Sequence, residues 1–168
     1  MRMLRDHPPR DLSMRAVARL AGVTPNAPYR HFASKEQLLA AVAESGFAML
    51  RDRMLAIGGG GEKRVASMCS GYLAFAREHP HLYRLMFGTD MHELDATESL
   101  ARTADEAFHT LVDAVAAAWN LPPERAMTEA VVHWSSVHGY AMLELDGVLG
   151  CCPAKLLPKA DQFVRRPR

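Results

Sequence analysis

The sequence predicts an all-α protein, a small N-terminal head of short helices followed by a larger helical body. Three observations carry that prediction. Apolar residues recur at helical spacing along most of the chain. Strand-like alternation is missing, and Asp146-Gly147 ends a helical stretch rather than joining two strands. Prolines, glycines and short polar residues fall where helices start and stop.

The elements follow in order. Ser13 is placed to cap a short helix to about residue 21, with Met14, Val17, Ala18 and Ala21 turned inward. Gly22 stops it, since glycine takes the left-handed conformation past a helix end without strain. Thr24 can cap a second short helix with Pro25 at its first position, where a missing N–H is harmless. Pro28 sits awkwardly there, tolerable only because it is close to the first turn. Ser34, with Gln37 three residues on, reads as a capping box opening a long helix. Its apolar face carries Leu38, Leu39, Val42, Met49, Leu50, Met54 and Ile57. The four glycines at 58–61 have too much backbone entropy to continue it.

Helical patterning resumes with Val65, Met68, Cys69, Tyr72, Phe75 and Ala76 and ends at His79-Pro80. A short helix with Leu82, Leu85 and Met86 closes at Gly88. Another, from about 96 to 119, lines up Leu100, Ala104, Phe108, Leu111 and Val115. Pro122-Pro123 starts the next, which turns Met127, Ala130, Val131, Trp134, Val137, Ala141 and Leu145 inward. The tail holds one more helical segment around Leu156, Leu157 and Phe163.

Composition narrows the class. Hydrophobic residues at 49% and charged ones at 23% suit a globular chain and argue against a disordered one. The net charge is +1, but it is unevenly spread. Residues 1–37 hold seven Arg/Lys against three Asp/Glu, a net +4, which leaves −3 for the remainder. A basic head on a mildly acidic body fits contact with a polyanion at one end only. Cys69 stands alone and Cys151-Cys152 are adjacent, a poor spacing for an ordinary bridge or a zinc knuckle, so the thiols read as reduced and the location as cytoplasmic. The Arg-rich N-terminus runs into Pro8-Pro9 without an apolar stretch, which reads as no secretory leader, and nothing predicts a membrane span.

Two short helices joined by a tight glycine turn form a helix-turn-helix, whose second helix offers its first residues to the major groove. Here that segment carries Pro25, Asn26, Ala27, Pro28, Tyr29, Arg30 and His31. Asn can pair bidentately with adenine, Ala and Pro can meet a thymine methyl, and Arg can reach guanine or phosphate. Tyr29 and His31 can donate to phosphates, with Lys35 close behind. For Tyr29 and Phe32 the competing assignment is core packing, favoured for Phe32.

Residues 12–39, LSMRAVARLAGVTPNAPYRHFASKEQLL, resemble the DNA-binding segment of the TetR family, in which a Gly-Val turn precedes Tyr-x-His-Phe and a Ser-Lys-Glu helix start. The resemblance implies base contacts from Pro25, Asn26, Ala27 and Tyr29, with Arg30 also in reach. It implies phosphate contacts from Ser13, Arg15, Thr24, His31 and Lys35. Family members carry a whole helix ahead of the position of Leu12, and here the matching phrase is its last turn, Met1 to Asp6. The first helix of a three-helix head is thus expected to be mostly missing, through a misassigned start or as a real loss. Residues 1–46 are expected to be the DNA-binding domain and 47–168 a ligand-sensing and dimerising domain.

The phrase at 133–140, HWSSVHGY, with FAREHPHLYRLMF at 75–87, resembles the family's subgroup with a Trp-His-Gly signature. That implies a helical body with a pocket and a homodimer made largely by the last two helices. Gly139 is expected to let a neighbouring helix approach. Tyr72, Phe75, Met86, Phe87, Phe108, Trp134, His138 and Met142 are the candidate pocket lining, though large side chains at helical spacing are more often core. No cofactor, metal or catalysis is expected. His79 and His81 flank Pro80, and His133 and His138 are five apart, off the i,i+4 pairing of a helical zinc site. The expected function is a ligand-responsive repressor released from a palindromic double-stranded operator by a small molecule. The alternative is a helical dimeric ligand-binding or interaction protein that has lost DNA binding with its first helix.

Overall fold

A computed structural model describes residues 9–88 and 97–167, and these are helical with no strand among them. The expected remnant turn at 1–6 and the expected helix start at 96 lie outside those residues. Six α-helices appear among the described residues: α1 (Met14–Ala21), α2 (Lys35–Leu55), α3 (Gly61–Glu78), α4 (Pro80–Phe87), α5 (Glu98–Trp119) and α6 (Pro123–Leu145). The chain separates into two compact units, one formed by Met1–Ala48 with His79–Ala104, the other by Met49–Glu78 with Asp105–Arg168.

In the first unit, Ser13 caps α1 as its sequence position suggests, its Oγ accepting from the Ala16 N–H at 3.1 Å. Gly22 at φ 68° ends the helix, with Gly22 N–H bonded to Arg19 O and Val23 N–H to Ala18 O, the paired closure of a Schellman motif. Met14 and Ala18 are buried, Val17 is half-buried, and Ala21 is exposed, contrary to expectation. Ser34 Oγ accepts from Gln37 N–H at the start of α2, while Gln37 Oε1 accepts from Ala33 N–H, one residue before the expected partner of a capping box.

The buried stripe of this helix is Leu38, Leu39, Ala40, Ala43, Phe47, Leu50 and Met54, and Met49 is exposed. The sequence pattern rests on large residues, and it does not mark the small Ala43 and Gly46, which are buried on this helix as well. A Cβ on Gly46 would lie 2.6 Å from Met86 Sδ and 3.0 Å from Leu82 Cδ1 on α4. That helix buries Leu82, Tyr83, Leu85 and Met86, and the 3-10 turn Pro9–Asp11 packs on it.

In the second unit α3 buries Val65, Met68, Cys69, Tyr72, Leu73, Phe75 and Ala76, the expected face with Leu73 added. It packs on α6, which turns Ala126, Ala130, His133, Val137 and Ala141 inward. The two are also joined by Arg77, whose Nε and Nη2 each donate to the Glu144 carboxylate at 2.9 Å. Met127 and Val131, expected inside, are exposed at 37% and 43%. The helix is apolar on more than one side, so periodicity alone could not choose the side that α3 covers. The left-handed Asn120 (φ 51°) ends α5, with Leu121 N–H reaching back to Ala116 O. The expected tail helix is instead a set of short 3-10 turns, Val148–Cys151, Ala154–Leu156 and Ala160–Phe163. Pro153 and Pro158 remove the N–H groups a longer helix would need. The last of these turns packs on α3 and α6.

Candidate nucleic-acid interface and effector site

The reader segment follows directly from the Schellman closure of α1, but it is not the second α-helix expected from Thr24 onward. It is a turn, with Ala27 N–H bonded to Thr24 O, followed by a 3-10 helix over Pro28–Arg30. Pro28 explains the difference. An α-helix starting after Thr24 needs the residue 28 N–H to bond the Thr24 carbonyl, and proline has none to give. Arg30 N–H then bonds Ala27 O, and His31 and Phe32 N–H both reach Pro28 O. In a 3-10 helix successive side chains fan out by roughly 120°. Pro28 turns inward and is buried, while Tyr29 and Arg30 are exposed.

The candidate DNA contacts therefore share one solvent-facing segment. Thr24, Pro25, Asn26, Tyr29, Arg30 and His31 are exposed, and Ala27 is half-buried. Tyr29 is 54% exposed, which removes it from the core, and Phe32 is half-buried. Ser13 and Arg15 are exposed at the start of α1, and Lys35 is half-buried in the first turn of α2. The Ser13 hydroxyl accepts from a backbone N–H and keeps its own proton for an acceptor such as a phosphate oxygen.

The candidate effector residues are not all together. Tyr72, Trp134 and His138 form a hydrogen-bonded cluster in the second unit: Trp134 Nε1–H donates to Tyr72 Oη at 3.1 Å, and Tyr72 Oη lies 2.9 Å from His138 Nδ1. Having accepted from the indole, the phenol has its own proton to give to Nδ1. Burial holds the His138 imidazole below its ordinary value, which favours the neutral ring this arrangement uses. Phe108 stands 5.6 Å from the Trp134 ring, and Met142 is half-buried on α6. Phe75 is buried beneath the Arg53 guanidinium, 5.8 Å from the ring centroid. Met86 and Phe87 belong to the first unit, where Phe87 packs on Phe47 and Tyr83.

Sequence reasoning missed His133, the most buried histidine described, at 2% exposure. Its Nδ1–H donates to Glu129 O at 2.7 Å, its Nε2 accepts from Arg165 N–H at 3.2 Å, and the Trp119 ring stacks on it at 5.4 Å. Its place on the same turns as Ala130 and Val137 was the only sequence signal. No group of three or more His, Cys, Asp or Glu side chains suited to a metal ion occurs among the described residues. Nor is any of their helices long and apolar enough to cross a membrane.

Comparison with known proteins bears on both ends of the chain. Residues 1–42 match the family described as bacterial regulatory proteins, tetR family, and residues 65–166 match the tetracyclin repressor-like C-terminal domain. An uncharacterized HTH-type transcriptional regulator of Mycobacterium tuberculosis is 28% identical over 144 residues, which cover 82% of this chain and 63% of that protein. The chain thus spans less than two thirds of that relative's length. A solved protein of unknown function from Rhodococcus sp. RHA1 is 31% identical, with a TM-score of 0.71 over 90% of this chain and 78% of that one. A crystal structure of a protein described provisionally as regulatory shares the fold, with a TM-score of 0.75 at 24% identity over 96% of this chain and 86% of that one.

Proposed function

Since the chain belongs to the TetR family of bacterial regulatory proteins, we propose that it is a cytoplasmic, ligand-responsive regulator of transcription that binds double-stranded operator DNA as a homodimer. The observation that carries this reading is the exposed reader segment. Asn26, Tyr29, Arg30 and His31 stand in solvent on a turn held by a Schellman closure on one side and a capped α2 on the other. Pro25, Asn26, Ala27 and Tyr29 are assigned to bases, with Arg30 in reach of them, and Ser13, Arg15, Thr24, His31 and Lys35 to phosphates. By role, residues 1–46 read DNA, and residues 47–168 sense a small molecule and dimerise through α5 and α6.

Two heads related by a twofold axis meet half-sites about 34–36 Å apart, so the operator is palindromic. The effector is assigned to Tyr72, Phe75, Phe108, Trp134, His138 and Met142, with Met86 and Phe87 the least supported of the set. An effector that prefers one state of the body shifts operator affinity by the same coupling free energy with which the operator shifts effector affinity. Release on effector binding makes the protein a repressor, and no catalysis is assigned to it.

A mobility-shift assay with the DNA flanking its own gene tests the reading. The expected result is a sequence-specific complex lost in an Asn26→Ala, Tyr29→Ala double variant that still folds. A folded dimer with no preference among DNA sequences overturns it and leaves a helical ligand-binding or interaction protein.

A further inference from the structure

A groove of about 770 Å³ lies between α6 and the C-terminal tail, a size within the range of small-molecule sites. Its lining combines apolar surface from Val132, Pro158 and Phe163 with the side chains of Glu129, Arg165 and Arg166. None of the eight residues assigned to the effector lines it.

The walls are tied in place. His133, another lining residue, holds the Arg165 backbone N–H on Nε2 and the Glu129 carbonyl through Nδ1–H, and is stacked on Trp119. Phe163 packs on the Tyr140 ring at 5.2 Å. The groove therefore exists before any ligand arrives, which spares a ligand the loss of ordering the tail. Among the described residues neither the Arg165 nor the Arg166 guanidinium enters an ion pair. Two guanidinium groups against one carboxylate leave a single positive charge in excess beside an apolar wall. A guanidinium presents paired donors that match the two oxygens of a carboxylate.

We propose that this groove is a binding site for a small amphipathic monoanion, a carboxylate on a hydrocarbon body. Arg165 and Arg166 hold its head, and Val132 and Phe163 cover its body. The site is separate from the effector cluster, and its existence does not depend on DNA binding.

Isothermal titration of the full chain with octanoate tests it, with 1-octanol and inorganic phosphate as the two partial probes. Octanoate is expected to bind with a Kd below about 1 mM, and each partial probe about tenfold or more weakly. An Arg165→Ala, Arg166→Ala double variant keeps the backbone N–H that His133 holds. It is expected to lose about tenfold in octanoate affinity while leaving 1-octanol unchanged. Val132→Asp, at a side chain 53% exposed, places a like charge in the groove and should weaken octanoate without touching either arginine, so the test survives if the double variant unfolds. Tyr72→Phe should leave octanoate affinity as it was.

Three results overturn the proposal: phosphate or 1-octanol binding as tightly as octanoate, loss of octanoate binding in Tyr72→Phe with the arginine variant unaffected, or conversion of dimer to monomer by the groove variants. The last would mean that a second copy of the chain covers the groove. Operator binding is measured separately, so a failure of the regulator reading leaves these titrations interpretable.

Discussion

The roles proposed for Asn26 and Lys35 are two different kinds of contact with DNA. A side chain amide that pairs with a base edge discriminates, and a cation beside a phosphate only attracts. Asn26→Ala should therefore relax sequence preference at one step in each half-site, losing ~1–3 kcal/mol per contact, as read by competition with operator variants. Lys35→Ala should weaken all sequences alike and flatten the salt dependence of binding. If both variants lose affinity uniformly, the base assignment for Asn26 is wrong.

At the other end, His138 links stability to pH. Its folded pKa lies below the ordinary 6.5, so the unfolded chain takes up the proton first as pH falls. The stabilising contribution is whole above 6.5 and is lost as pH drops from there through the lowered folded value. His138→Gln should accordingly show a smaller drop in Tm between about pH 7.5 and about pH 5.5 than the parent chain. The cysteines divide by burial: Cys69 is buried and pushed up to about 11, while Cys151 and Cys152 are exposed. A thiol reagent at neutral pH should label the exposed pair quickly and Cys69 only on unfolding.

Helix ends were the most legible elements because their signals are local. Ser13, Gly22 and Ser34 sit where cap chemistry puts them, and Ser13→Ala should lower stability by ~1 kcal/mol in urea titration. The reader segment was not legible in the same way. One missing N–H, at Pro28, turned an expected α-helix into a turn and a 3-10 helix. Helix faces were legible where apolar residues are large and one-sided, as on α3, and illegible where small residues mark the contact. Gly46 on α2 is the case that can be tested. Alanine there gains roughly 1 kcal/mol of helix propensity. Its Cβ, however, would press on the fully buried Met86 and on Leu82, and overpacking costs about 1–3 kcal/mol. Gly46→Ala should thus destabilise, and a midpoint shifted to higher urea would show that Met86 yields freely. Gly139 on α6 has nothing within 4 Å of a Cβ among the described residues, so the neighbouring helix expected there is not found among them.

For the whole molecule, the open face of α6 and the lopsided charge matter most. Met127 and Val131, one turn apart on α6, are exposed at 37% and 43%. The proposed homodimer covers such a face, and Val131→Asp should convert it to monomer in sedimentation at micromolar concentration while the chain stays helical. Gly139→Ala then separates two outcomes. It stabilises an isolated chain through propensity, but weakens the dimer if the partner's helix comes close at that point. The net +4 over residues 1–37 against −3 elsewhere predicts DNA affinity that falls steeply with salt, whereas octanoate binding at the tail should depend on salt weakly.

By itself the sequence determined the helical class, the main caps and breaks along the chain, and the resemblance of both ends to one family. All of these rest on interactions within a few residues, or on short phrases whose order is fixed along the chain. The tertiary structure alone decided which apolar face of α6 is covered and that Met86 and Phe87 belong with Phe47 rather than with Trp134. It also decided that His133 anchors the tail through Arg165. Each of these depends on partners tens of residues away, and spacing along one helix carries no information about which distant side chain will fill the space beside it.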